Sequence, residues 1–487
     1  MKPPAFVGLI ESSSSVQAAI FANASCGPFS DRGSPCLLGN YARYAVNVSS
    51  AEDVAAAVRF ANEKNIRLVI RNTAHDYMGR STGAGALAIW THHLKGAEVV
   101  DWSDAEYVGK AIRIGAGMQG WEVGEAARAA GLVVVTGACP TVGIAGGYTQ
   151  SGGHSPLSTA FGLSADNTLA FEVVLADGGR VVVADAASPE FADLFWALSG
   201  SGAGNFGVVV SVTLRAHPDA VTGGASFTVA APGALEAWHA ALPGIIAEGA
   251  QATYTASGGD KLWVPTVTGY GLTGADMERI LAPFAEAMRA IGVALPVAYT
   301  EFASYHDHYW HYLGPPPAGT FGNAESQLMG GRLIPAHLLP RAGPAIKETI
   351  RLGSTLIGVA LNVSRFASPS RRAVLPQWRD ALIMSAYELT FSPGAPISQL
   401  HAQQDLMTNT IMPVVEAVLP DTGAYINEAD FQQRDWQSVF YGANYGRLLR
   451  VKRKYDPRGL LYNSIAVGSE RWEVRKDGRM CATQHGV

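Results

Sequence analysis

Charge is scarce in this chain. Only 16% of its 487 residues are Asp, Glu, Lys or Arg, against about a quarter in an average globular protein. What charge there is nearly cancels, 36 basic residues against 41 acidic ones leaving −5. That balance lacks the basic footprint expected of a nucleic-acid or anionic-membrane binder. Long hydrophobic runs are also missing. The best of them, Leu132 to Val135 and Val208 to Val212, are strand-sized, far below the roughly 20 residues that span a bilayer. Cysteine is sparse: Cys26, Cys36, Cys139 and Cys481 are too few for a dense disulfide framework. Cys26 and Cys36 sit ten apart in the loop-like CGPFSDRGSPC and are read as a pair, with four free thiols as the alternative; Cys139 and Cys481 look unpaired. Sequons at Asn23, Asn47 and Asn362 are about as many as chance supplies.

Apolar residues, by contrast, make up 48% of the chain, and there are 54 glycines. Disorder is excluded by that composition. The length exceeds the roughly 250 to 300 residues at which one core stops growing, so two lobes are expected. A small molecule is the default partner.

From Tyr41 the pattern reads strand (YARYAVNV), helix (SAEDVAAAVRFANEKN, with Ser50 as N-cap), strand (IRLVIRN), a βαβ unit. Instead of a second helix, the Gly-rich loop TAHDYMGRSTGAG follows. A second unit, AIRIGAG, WEVGEAARAAG and LVVVTG, ends in the similar loop ACPTVGIAGGYTQSGGH. LAFEVVLAD and RVVVAD then form a hairpin at Gly178-Gly179, SPEFADLFWALSG a helix, and VVVSVTLRA a strand. Composition changes at residue 216. The expected division is an α/β lobe over 1–215, an α+β second lobe over 216–423, and a segment 424–487 that completes the first lobe. The fold class is α+β, with an antiparallel sheet covered by helices in the second lobe.

Two glycine loops, each at the end of a strand, let backbone N–H groups approach one large polyanionic ligand. The first carries Arg71, Asn72, Thr73, His75, Asp76, Arg80, Ser81 and Thr82, and the second Cys139, Thr141, Tyr148, Gln150, Ser151 and His154. Each has one reactive-type side chain, His75 or Cys139. The bland alternative is a hydrogen-bonded loop histidine and a buried small thiol.

The runs RNTAHDYMGRSTG, GACPTVGIAGGYTQSGGH, GLSADNTLAFEVVLADG, WALSGSGAGNFGVV, YINEAD and NYGRLLRVKRKYDPRGLLYN resemble, in order, the berberine-bridge-enzyme-like FAD-linked oxidases of the vanillyl-alcohol oxidase and p-cresol methylhydroxylase superfamily. The match covers about half the chain and leaves 216–423 without a motif. It implies a two-lobed PCMH-type fold and an FAD bonded twice, through His75 to the flavin 8α-methyl and through Cys139 to carbon 6. Arg71, Asn72, Thr73, Ala74, Asp76, Ser81, Val142, Gly143, Gly147, Ser151, Gly152, Asn167, Gly207 and Val209 are the further cofactor-binding positions it implies. Val142 matches the position beside the oxygen-reactive face, where a small residue resembles the members that use O2. Tyr425 matches the tyrosine that takes the substrate proton, in a site expected to lower its pKa, and Asn427 orients flavin or substrate. Tyr148 stands where some members have His, and His154 is the alternative source of that polar contact. The family usually has Gly where Ala74 stands.

Hydride transfer from a carbohydrate hemiacetal, ahead of an aryl or allylic alcohol, to FAD with reoxidation by O2 is therefore the expected reaction. The rivals are a same-fold dehydrogenase with another acceptor, and a non-catalytic flavin- or metal-binding protein. The metal rival rests on SYHDHYWHYLG, where His306 and His308 would share a strand face. A substrate pocket lined by Tyr305, Tyr309, Trp310 and Tyr312 is the preferred reading of that run, and no metal is expected. The basic run Arg447 to Lys454 is expected to be a solvated helix face, and Cys481 to be uninvolved. Family habit and the Cys26–Cys36 pair point to a secreted monomer whose leader is absent from this sequence, since Met1 to Ile10 is too short in apolar residues to be one.

Overall fold

In the computed structural model of the chain, residues 11–22, 33, 36–315, 319, 327–366, 370–392 and 394–483 are described. Cys26, the sequon at Asn23 and residues 316–318 lie outside them.

The first lobe begins as its local signals dictate. Ser50 Oγ accepts from Asp53 N while the Asp53 carboxylate accepts from Ser50 N, a capping box that starts the helix Ala51–Lys64. Asn65 ends it at φ 52°. Val54, Val58 and Ala61 on its inner face are fully buried. Around it, β1 (Tyr44–Asn47), β2 (Leu68–Arg71) and β3 (Leu87–Trp90) form a parallel sheet in the order β1-β3-β2. The first glycine loop leaves from the carboxyl end of β2.

β4 (Ala97–Ser103) and β5 (Val108–Gly115) open a second sheet. The βαβ reading of the next unit needs correction. After the helix Gly120–Arg128 only Leu132–Val133, β6, is a strand. It pairs not with β5 but with His217–Pro218. The LVVV run is split between two cores: Val134 packs into the first lobe, whereas Val133 and Val135 pack with Leu157 and Tyr305. The apolar run thus lies along a lobe boundary instead of inside a sheet. β7 (Thr168–Val174), β8 (Val181–Asp185) and β9 (Val208–Arg215) complete an antiparallel sheet in the order β4-β5-β9-β7-β8. The β7–β8 hairpin turns at Gly178, φ 68°, as its sequence predicts.

After the short β10 (His217–Pro218), seven antiparallel strands make the second lobe: β11 (Thr222–Ala230), β12 (Gln251–Ser257), β13 (Lys261–Tyr270), β14 (Ala298–Phe302), β15 (Gln327–Pro335), β16 (Thr355–Ala360) and β17 (Ala381–Thr390). Their order is β14-β11-β13-β12-β16-β17-β15. Helices Ala234–Ala247, Gly274–Ala290 and Leu339–Arg351 cover one face, where Trp238, Phe284 and Ile346 pack with Tyr254, Leu356 and Tyr387. Because side chains alternate along a strand, Gln251, Thr253, Ile357 and Val359 point to the other face.

The C-terminal segment returns to the first lobe. Leu461 forms a parallel bridge with Leu68, and Asn463 Nδ2 donates to Ala203 O and Gly204 O. The helix Tyr445–Tyr455 is not wholly solvated, contrary to the reading of its charges. Lys452 is buried and donates to Asn205 O, Leu461 O and the Asp456 carboxylate, while Arg447 lies 3.7 Å over the Trp196 ring.

SYHDHYWHYLG is a helix, Tyr305–Tyr312, capped by Ser304, not a strand. The cap, whose Oγ accepts from Asp307 N, outweighs the β propensity of the aromatics. His306 Nε2 lies 2.7 Å from Glu125 Oε1, and buried His308 lies 2.9 Å from Thr268 Oγ1. Tyr309 donates to Gly137 O and Ala138 O. The run therefore docks one lobe on the other, next to the strand end that leads to Cys139. Among the described residues no group of three His, Cys, Asp or Glu side chains is arranged to hold a metal.

Candidate active site

Both glycine loops, the C-terminal segment and the uncovered face of the seven-stranded sheet enclose one cavity of about 300 Å³. In the first loop, the Asp76 carboxylate accepts from Met78 N and Ser81 N, which folds the chain back on itself. Arg71 is buried and pinned by Ser12 O, Ser15 Oγ and Ser81 O. Burial pushes its guanidinium down to about 10, so it stays charged at neutral pH. Ala74 occupies φ 59°, the left-handed region that the family's glycine would adopt freely. That backbone turn presents His75 to the cavity.

His75 Nε2 lies 2.9 Å from Thr141 Oγ1. Burial lowers its pKa to about 4, so the ring is neutral at physiological pH. Cys139 Sγ lies 3.9 Å from the same Thr141 hydroxyl. Its thiol is pushed up by burial, against which the Thr141 amide and hydroxyl work. One hydroxyl thus stands between the two side chains, and the two loops converge on it. A Cβ at Gly143 would lie 2.1 Å from Asn72 Nδ2, so glycine there leaves that amide room to donate to Ala116 O. The turn Ile144–Tyr148 then lays Gly146 and Gly147 along the cavity wall. A Cβ at Gly146 would enter open space, and one at Gly147 would meet only Asn427 Oδ1, at 4.0 Å.

From the C-terminal segment, Tyr425 and Asn427 enter the cavity as a pair. Asn427 Nδ2 donates to Tyr425 Oη at 2.8 Å and to Gly147 O at 2.9 Å. The expected lowering of the Tyr425 pKa is not what the surroundings produce. Burial and then the Glu428 carboxylate push the phenol above its ordinary value, and the hydrogen bond from Asn427 only partly opposes them. The carboxylate is instead aimed at His154, whose Nε2–H donates to Glu428 Oε1 at 3.1 Å. The His154 ring stands edge-on to Tyr425 at 5.2 Å. Tyr148 spends its hydroxyl hydrogen on His154 O, at 2.9 Å, and so orders that residue's backbone instead of offering a donor to a ligand.

Most sequence-predicted positions line this cavity, including Thr73, Ser81, Val142, Ser151, Gly207 and Val209. Of the cofactor-binding positions that the resemblance implies, two are not among its walls. Asn167 is buried below it, with Nδ2 donating to Phe161 O and Leu163 O and Oδ1 facing His217 Nε2. Its polar atoms are all engaged within the protein. Gly152 serves backbone geometry, at φ 113°. Sequence reasoning missed the roof, Gln251, Thr253, Met329, Ile357 and Val359. The alternation in QATYTAS would have marked one face of a strand, but nothing local says which face meets a ligand.

An extended polar ligand such as FAD fits these walls. Asn72 Oδ1, Arg80 Nε and Nη2, Gln150 Oε1 and Ser151 Oγ are buried polar atoms without a hydrogen-bond partner, all on cavity-lining residues. Arg80 supplies a cation with uncommitted donors, whereas those of Arg71 are held by Ser12, Ser15 and Ser81.

Comparison with known proteins agrees. The FAD binding domain family matches residues 42–184, and the berberine and berberine-like family matches 424–468. The FAD-linked oxidoreductase ZEB1 of Gibberella zeae is 46% identical over 96% of this chain and 84% of its own. The chain is a berberine-bridge-enzyme-like FAD-linked oxidoreductase of the vanillyl-alcohol oxidase superfamily. The crystal structure of the VAO-type flavoprotein MtVAO615 from Myceliophthora thermophila C1 superposes with a TM-score of 0.91. It is 37% identical, over 98% of this chain and 89% of that one. Glucooligosaccharide oxidase from Acremonium strictum, described with a 6-S-cysteinyl, 8α-N1-histidyl FAD, shares the fold at a TM-score of 0.70. Its identity is 18%, over 87% of this chain and 92% of that one.

Proposed function

We propose that this FAD-linked oxidoreductase is an alcohol oxidase with a doubly bonded FAD, attached through His75 and Cys139. The observation that carries the reading is the convergence of His75 and Cys139 on Thr141, in the same cavity as Tyr425 and the His154–Glu428 pair. A neutral imidazole carries a nucleophilic nitrogen lone pair, which an imidazolium lacks, and the Thr141 hydroxyl is placed to hold either reacting group.

Oxidation of an alcohol removes a hydride from carbon and a proton from oxygen, leaving a carbonyl, or a lactone when the donor is a hemiacetal. Bound FAD supplies the two-electron acceptor, and O2 takes the electrons with two protons as H2O2. The protein's own task is the substrate proton. With Nε2–H committed to Glu428, the other nitrogen of His154 is an acceptor, and the imidazolium formed on accepting the proton is stabilised by that carboxylate. The buried Tyr425 phenol keeps its proton and orients the substrate hydroxyl. Val142, a small side chain on the cavity wall, leaves room for O2 and favours the oxidase over a dehydrogenase. The protein is further proposed to be a secreted monomer with Cys26 bonded to Cys36.

Acid precipitation followed by peptide mass analysis tests the attachment. A yellow pellet with FAD mass on the peptides of both His75 and Cys139 is expected, and flavin left wholly in the supernatant sinks the proposal. Photoreduced enzyme mixed with air is expected to reoxidise rapidly with one H2O2 per flavin; slow reoxidation assigns it to the dehydrogenases.

A further inference from the structure

The two limbs of the Cys139 loop are held by different lobes. After the cysteine, Trp121 N donates to Pro140 O at 2.9 Å and Gly120 N to Val142 O at 3.0 Å, both from the start of the first-lobe helix Gly120–Arg128. Before it, the carbonyls of Gly137 and Ala138 are reached, among the described residues, by one donor only. That donor is the Tyr309 hydroxyl of the second lobe, 3.2 Å from Gly137 O and 3.1 Å from Ala138 O. One phenol carries one hydrogen, so the two carbonyls share it. Burial pushes the Tyr309 phenol up, which keeps that hydrogen in place.

Tyr309 is itself fixed. Its helix, Tyr305–Tyr312, is clamped where His306 Nε2 meets Glu125 Oε1 at 2.7 Å and where Tyr305 N donates to Asp219 Oδ1 at 2.8 Å. The Tyr309 ring packs against the cluster of Val133, Val135, Leu157 and Tyr305. None of Tyr305, Tyr309, Trp310 and Tyr312, expected to line a substrate pocket, is among the walls of the active-site cavity. Tyr309 therefore acts on the backbone that carries Cys139 and not on a ligand. The His75 loop is closed differently, by the Asp76 carboxylate accepting from Met78 N and Ser81 N, bonds in which Tyr309 has no part.

Resting on the doubly bonded FAD proposed above, we infer that Tyr309 is the positioning residue for the Cys139 bond: the docked second lobe sets the sulfur in place, whereas the His75 bond forms without that hydroxyl. In the step itself the S–H bond of Cys139 and the C–H bond at carbon 6 break and the S–C bond forms. The two protons and two electrons released pass to O2 as H2O2. Tyr309 takes no part in that balance; it fixes where the sulfur stands, and reaction rates fall steeply with misplacement of the reacting atoms.

The test compares full-length wild type, Tyr309→Phe and Tyr312→Phe, purified at successive times after induction, by peptide mass analysis and absorbance. Tyr309→Phe keeps the ring and its packing and removes only the donor. Tyr312→Phe removes a hydroxyl of the same helix that faces Thr300 Oγ1 at 2.8 Å, and so controls for general loosening of the helix. FAD mass is expected on the His75 peptide of all three, which also reports folding. On the Cys139 peptide it is expected at equal rates in wild type and Tyr312→Phe, and about 10-fold more slowly in Tyr309→Phe, the scale of one hydrogen bond. The early spectrum of Tyr309→Phe should match that of Cys139→Ser. A wild-type rate of Cys139 attachment in Tyr309→Phe, loss of both attachments together, or an equal slowing in Tyr312→Phe overturns the inference and leaves the doubly bonded reading intact. FAD never found on the Cys139 peptide of wild type sinks that reading, and the inference falls with it.

Discussion

At the scale of single residues, the cavity separates two candidate proton acceptors by environment. Tyr425 is enclosed, faces a carboxylate and keeps its proton, while His154 has that carboxylate as a hydrogen-bond partner. Replacing His154 by Ala is therefore expected to lower the rate of flavin reduction by about 100-fold or more, the usual scale of general-base loss. Tyr425→Phe, which removes orientation only, is expected to cost less and to leave the pH profile in place. The reverse ranking in anaerobic stopped-flow would return the base to Tyr425. A smaller effect is expected at Ala74, whose φ of 59° costs an L-residue about 1 to 2 kcal/mol, against about 0.5 to 1 kcal/mol for the extra freedom of an unfolded glycine. Ala74→Gly should raise stability by roughly 0.5 to 1 kcal/mol in denaturant titration.

At the scale of elements, the site depends on how closely the C-terminal segment lies against β15. A Cβ on Gly331 would come within 2.3 Å of the Glu428 carbonyl oxygen, and Leu333 N donates to Gly423 O just beyond. Backbone stands against backbone there, so the added methyl cannot be absorbed by a rotamer change. Gly331→Ala is expected to displace Asn427 and Glu428 and lower turnover by about 100-fold, as a misplacement of about 1 Å does, with far-UV circular dichroism unchanged. Retained turnover would show that the segment adjusts freely. Much of this level was legible in the sequence: the Ser50 capping box, the Gly178 hairpin and both glycine loops need only neighbours a few residues away. The helix Tyr305–Tyr312 was not, because its aromatics favour a strand until the Ser304 cap and the contact with Glu125 decide otherwise. Nor was the buried ammonium of Lys452, since a run of basic residues says nothing of which one faces inward.

For the molecule as a whole, both lobes bury neutral histidines. His239, packed against Tyr254 in the second lobe, is lowered to about 4, and His308 at the lobe junction to about 3, both by burial. Unfolded, each titrates near 6.5. Below that value the unfolded chain binds protons that the folded one refuses, so stability is full above about pH 6.5 and is lost as pH falls toward 4 and then 3. Each gap of at least two and a half pH units corresponds to about 3 kcal/mol as an upper scale. The melting temperature is expected to fall steadily between pH 6.5 and 4.5, and His239→Gln, which keeps a hydrogen-bonding group without the titration, should flatten the fall. A melting temperature independent of pH over that range would contradict the burial.

What the sequence alone determined is what local chemistry encodes: two lobes, the strand-to-loop junction after β2, and His75 and Cys139 placed on glycine-rich loops. Capping, turn geometry and periodicity act over a few residues, so they can be read in one dimension. Tertiary structure decided the rest. It set His154 against Glu428 across 274 residues of chain, turned Asn167 and the histidine-rich helix to structural work, and made the cavity roof from a region without a motif. Such properties arise from desolvation and from which side chains share a cavity. They exist only once distant segments are packed together.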